Sequence, residues 1–136
     1  MPLECLFVYG SLRKNIHSKM QPIFAQHCTF LSLAFMNGQL FEINGYPGAI
    51  ESQHPQDIIE GELYEINAYA PVLPLLDEYE ECSDHFPLPH EYFRKKIKVR
   101  TIAGKKISAW AYIYNRDVSQ LERIVSGNYL AYLNKK

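Results

Sequence analysis

Two short stretches hold the residues best suited to chemistry. In Val8-Tyr9-Gly10-Ser11-Leu12 an apolar run ends on Gly and Ser. Gly10 lets the backbone approach a ligand closely, consecutive N–H groups after a strand can form an anion-binding concavity, and Ser11 adds a hydroxyl donor. The same residues also serve ordinary turns for backbone reasons alone. In Leu76-Asp77-Glu78-Tyr79-Glu80-Glu81 carboxylates crowd the C-terminal end of a predicted helix. The helix dipole and mutual repulsion disfavour ionisation there, so one carboxyl group can be held with a raised pKa, as acid–base work near neutrality requires. The plainer alternative is a solvated acidic helix end paired with Arg94, Lys95, Lys96 or Lys98.

Other candidates are weaker. Trp110, Tyr112 and Tyr114 alternate along one strand face, where they could line a pocket or pack in a core. Cys5, Cys28 and Cys82 are odd in number, widely spaced and without a CxxC pair, so three reduced thiols are expected. Neither Cys5 nor Cys28 has a recognisable His partner motif, and Ser11 is not set in GxSxG. His17, His27, His54, His85 and His90 form no HxxxH or HExxH pattern, so metal binding is not indicated.

The elements that must position these residues follow from periodicity. Leu3 to Tyr9 reads as a buried strand running into a turn. Arg13 to Gln26 reads as loop followed by a short helix favoured by Pro22. Thr29 to Met36 and Gln39 to Ile43 read as strands joined at Asn37-Gly38, a pair suited to a two-residue type I′ hairpin. Asn44 to Gly48 is turn-rich, and Ile58 to Ile66 is a strand with alternating faces. The spacing of Val72, Leu75, Leu76 and Tyr79 predicts a helix over 71–80, with Pro71 tolerated in its first turn. Ser83 to His90 is irregular. Tyr92 to Thr101 and Lys106 to Asn115 read as strands joined across Ala103-Gly104. Asp117 to Val125 reads as a short helix ending near Gly127, and the tail from Asn128 continues helically or lies against the core. Six strands with two or three helices point to an α+β domain on a strongly curved sheet or barrel.

Composition bounds the partners. The 136 residues suit one domain spanning 1–136, and 47% hydrophobic with 21% charged residues is ordinary for a soluble globular chain. A formal net charge of -1 offers no electrostatic case for nucleic acid or anionic lipid, leaving a small neutral or zwitterionic ligand as the expectation. There is no basic n-region followed by an apolar run and no membrane-span-length stretch, so a cytoplasmic location is expected. Oligomeric state is not legible.

Order and separation bind the two stretches together. Val8-Tyr9-Gly10-Ser11-Leu12-Arg13, then Gly61-Glu62-Leu63-Tyr64-Glu65-Ile66, then Leu76-Asp77-Glu78-Tyr79-Glu80, with Tyr92-Phe93-Arg94 and Ala109-Trp110-Ala111-Tyr112 beyond, resembles the γ-glutamyl cyclotransferase family in its AIG2-like, short bacterial branch. The resemblance implies a mixed α/β fold with a small β-barrel and flanking helices. It implies a cofactor-independent acyltransferase or lyase type of reaction on a small γ-glutamyl amine, amide or peptide. The substrate's α-amine attacks its own γ-carbonyl, releasing 5-oxoproline and the free amine. Glu80 would be the catalytic acid/base, Tyr9, Gly10, Ser11 and Leu12 would hold the substrate, and Tyr112 would help position it. Ser-Leu follows Tyr-Gly here where the classical glutamyl-amino-acid enzymes have Ser-Asn, which places the chain nearer the γ-glutamylamine and uncharacterised bacterial members. The alternatives are a non-catalytic binding protein for γ-glutamyl-type small molecules on the same fold, and a hydrolase using Ser11 or a cysteine.

Overall fold

The architecture follows from strands whose two faces are both apolar. A computed structural model describes residues 4–10, 26–67, 72–80, 82–83 and 86–134. Its elements are β1 (Cys5–Val8), β2 (Cys28–Glu42), β3 (Pro47–Glu51), β4 (Ile58–Ile66), α1 (Val72–Tyr79), β5 (Tyr92–Thr101), β6 (Lys106–Tyr114), β7 (Glu122–Arg123) and α2 (Tyr129–Asn134). The helix expected within 13–26 lies outside the described residues, apart from Gln26.

Strands β2, β4, β1, β6 and β5 pair in that order, and a further β2–β5 pairing closes them into a five-stranded barrel. Every neighbouring pair is antiparallel except β1 with β6, which run parallel at Leu6 and Trp110. The interior is filled by alternate residues, including Phe7, Ala34, Met36, Leu63, Val99 and Ala109. The intervening residues of β1, β4 and β6 point outward, yet Leu6, Val8, Tyr64 and Tyr112 are also buried, because α1 lies over them through Val72 and Leu76. A four-residue spacing keeps those two on one face of the helix. The barrel thus has one inner core and a second core between its wall and α1.

Two sequence expectations are corrected. Asn37-Gly38 makes no hairpin: β2 runs straight through it, pairing with β4 up to Asn37 and with β3 from Gly38 onward. Gly38 serves close approach instead, since a Cβ there would sit 2.6 Å from the Ile50 carbonyl oxygen. The chain reverses later, where Ile43 N–H donates to Tyr46 O at 2.9 Å. Likewise, 117–125 is not a helix. The Asp117 carboxylate accepts bonds from both the N–H and the hydroxyl of Ser119, closing a local turn. The chain then pairs as β7 with β2, and Ile124 is buried with its N–H bonded to Leu40 O at 2.7 Å. Long-range burial has overridden local capping chemistry, and the strand count rises from six to seven.

Candidate active site

The end of β1, the end of α1 and the β2–β3 connection meet at one end of the barrel. Tyr9 follows β1 and is buried; its hydroxyl donates to Tyr112 O at 2.6 Å and accepts from Ala49 N–H at 3.3 Å. Gly10 then passes against Pro47, whose Cγ would lie 2.7 Å from a Cβ at position 10. A side chain there would push the two segments apart. Ser11 and Leu12 lie outside the described residues.

Glu80 follows α1. Its N–H still bonds to Leu76 O at 2.8 Å, so the helical spacing extends to it. Val72, Leu76 and Glu80 therefore form one stripe at intervals of four, and a carboxylate continues the buried apolar face. Glu80 is half-buried, and its charge reaches Tyr9 and Tyr92. Burial first, then the Glu80 carboxylate, pushes the Tyr9 hydroxyl well above the usual phenol range. Tyr92, at the start of β5, is pushed up by burial, by Tyr9 and by Glu80, and it donates to Pro47 O at 2.6 Å. Both phenols stay protonated near neutral pH and act as hydroxyl donors, not bases.

The neighbouring acid has a different environment. Asp77 accepts from Arg94 Nε at 2.9 Å and its terminal nitrogen at 3.2 Å, and from Tyr112 Oη at 2.7 Å. Arg94 also lies over Trp110, with its guanidinium carbon 4.5 Å from the ring centroid. Cys82 also faces Asp77, and burial with the charges of Asp77 and Glu80 pushes its thiol up to about 11, so it remains a thiol at neutral pH. Glu78 accepts from the Ser83 hydroxyl at 2.7 Å; Glu81 lies outside the described residues.

Of the sequence-derived candidates, Tyr9, Gly10 and Glu80 come together. Tyr112 contributes in two ways: its carbonyl anchors Tyr9, and its hydroxyl anchors Asp77 one turn before Glu80. Tyr92 and Pro47 were not singled out as site residues. Tyr92 faces Tyr114 in the β5–β6 register, and their rings meet edge to face at 5.5 Å. Counting back from the Ala103-Gly104 turn would have placed it beside the Trp110-Tyr112-Tyr114 stripe. Pro47 had no such signal, because its place depends on β3 folding back along β2. Among the described residues, no group of three or more His, Cys, Asp or Glu is arranged to hold a metal ion. No described helix is long and apolar enough to cross a membrane.

Comparison with known proteins agrees over almost the whole chain. The family model described as gamma-glutamyl cyclotransferase, AIG2-like, matches residues 6–131. The gamma-glutamylcyclotransferase family protein YtfP of Escherichia coli is 34% identical over 125 residues, covering 92% of this chain and 95% of the relative. The solution structure of ytfP from Escherichia coli superposes with a TM-score of 0.64 at 32% identity, over 94% of this chain and 97% of that one. The crystal structure of a mouse AIG2-like protein shares the fold, with a TM-score of 0.69 at 19% identity over 88% of this chain and 82% of that one.

Proposed function

The chain belongs to the γ-glutamyl cyclotransferase, AIG2-like family, and from that premise we propose that it cyclises a small γ-glutamyl amine, amide or peptide to 5-oxoproline and the free amine. The observation that carries this reading is that a carboxylate, Glu80, continues the buried stripe of a helix and lies within electrostatic reach of the buried Tyr9 hydroxyl. In this reading Tyr9, Gly10, Ser11 and Leu12 hold the glutamyl head group through backbone N–H donors. Tyr112 positions the site through its bonds to Tyr9 and Asp77.

In the reaction, the substrate's α-amine nitrogen attacks the γ-carbonyl carbon and closes a five-membered ring. Glu80 takes the proton released from that nitrogen and returns it to the leaving amine as the original γ-amide C–N bond breaks. No water is consumed, and the carboxylate ends in its starting state. Because nucleophile and electrophile belong to one molecule, folding the substrate back provides much of the acceleration, and one carboxyl group can serve as base and then acid. The other groups near Glu80 suit supporting roles: Asp77 is engaged by Arg94 and Tyr112, and Tyr9, Tyr92 and Cys82 hold their protons.

The test is a panel of γ-glutamyl amines, amides and dipeptides, with 5-oxoproline measured by mass spectrometry. At least one compound yields product, and Glu80→Gln lowers the rate by about 100-fold or more while the protein stays folded. Folded protein that binds the panel saturably without turnover would instead identify a non-catalytic binder.

A further inference from the structure

On the outer face of β5 the cations Arg94, Lys96, Lys98 and Arg100 stand at alternate positions. The first two are matched: Arg94 pairs with Asp77, and Lys96 lies 3.4 Å from Glu4 and 5.1 Å from the Trp110 ring centroid. Lys98 and Arg100 meet no carboxylate among the described residues. Lys106 lies directly opposite Arg100 across the β5–β6 ladder and is likewise unmatched. Like charges directly opposite on neighbouring strands destabilise a sheet, so this group of cations is unfavourable by itself.

The three cations rim a cavity of about 340 Å³. It opens where β2 and β5 part beyond their short seam, which has register pairs only at Ala34 with Thr101 and Phe35 with Arg100. Phe35 and Ile58 are its accessible apolar lining, and Met36 and Val99 border it with their side chains buried in the barrel. The amide of Asn37, also at the wall, is turned to the carbonyls of Pro55 and Asp57, leaving the cations to meet a ligand's charge. The cleft shares no residue with the Tyr9–Glu80 site.

We propose that this cleft binds a small phosphate monoester, its dianionic head held by Lys98, Arg100 and Lys106 and its apolar body against Phe35 and Ile58. The volume falls in the range of small-molecule sites. A net charge of -1 over the chain gives no support to a long polyanion. Arginine's planar fork matches phosphate oxygens in pairs, and a dianion between three cations would relieve their repulsion.

Phenyl phosphate is the probe, followed by calorimetry and by backbone amide shifts in NMR, with benzyl alcohol and inorganic phosphate as single-feature controls. Phenyl phosphate is expected to bind saturably, to shift amides of 35–37 and 98–106, and to bind more tightly than either control. The triple variant Lys98→Gln, Arg100→Gln, Lys106→Gln should bind it at least about tenfold more weakly. On the unaltered protein, affinity should fall as sodium chloride rises from low to physiological concentration. No saturable binding, undiminished affinity in the folded variant, affinity insensitive to salt, shifts centred on Tyr9 and Glu80, or a control that binds equally well would each overturn the proposal. Should the variant fail to fold, the salt series and the shift map decide.

Discussion

Asp77 and Glu80 lie three residues apart at the end of α1. Asp77 has Arg94, Tyr112 and Cys82 around it. Glu80 lies where the apolar stripe of α1 reaches the tyrosines at the barrel end. Of the two alternatives for the acidic helix end, Asp77 takes the ion-paired one, and the acid/base role is the one proposed for Glu80. Replacing Asp77 by Ala should lower stability by about 2 kcal/mol in urea unfolding, since it strands a half-buried guanidinium and a tyrosine hydroxyl. Glu80→Gln keeps the size and shape of the side chain, and the same unfolding transition should show the variant still folded. Tyr92→Phe removes the hydroxyl bond to Pro47 O while keeping the ring, and should raise KM more than it lowers kcat if Tyr92 only holds the loop wall in place.

At the scale of elements, β2 carries the main lesson. Its alternation and its aromatic content were legible, and so were β4, α1 and the β5–β6 hairpin, whose predicted and observed limits nearly coincide. Asn37-Gly38 suits a turn by its local chemistry, but pairing with β4 up to Asn37 and with β3 from Gly38 holds it in a continuous strand. Gly38→Ala distinguishes the two conformations. It meets the Ile50 carbonyl in a through-strand and should cost about 1–3 kcal/mol in stability. The β3–β4 connection is held by Asp57, whose carboxylate accepts from Ser52, Gln39 and Arg123 and is thereby lowered to about 2. Its folded pKa lies below its unfolded value of about 3.9, so its stabilisation is full above about pH 4 and is lost as pH falls toward 2. Thermal melts across that window should show Asp57→Asn with a flatter acid limb than the unaltered protein.

For the molecule as a whole, periodicity alone left a strongly curved sheet or a barrel, and the family resemblance implied the small barrel that is observed. A curved sheet of short strands was legible from the run of periodicities, but closure depends on which edges meet. Here they meet at a seam of two register pairs, against nine between β5 and β6. The Ile102 N–H, which crosses that seam to Leu33 O at 3.1 Å, should therefore exchange with solvent faster than amides within the β5–β6 ladder. The candidate site was legible in outline for a related reason: Tyr9-Gly10 after β1 and the end of α1 each carry a local signal, whereas Pro47 and Tyr92 arrive by tertiary folding. Whether this barrel end supports cyclisation is tested most directly by the fate of the γ-carbonyl. Turnover of a γ-glutamyl amine in ¹⁸O-labelled water should give 5-oxoproline carrying no ¹⁸O, because the α-amine is the nucleophile. Glutamate carrying one ¹⁸O in its γ-carboxylate would show that water attacks instead, and would contradict intramolecular cyclisation.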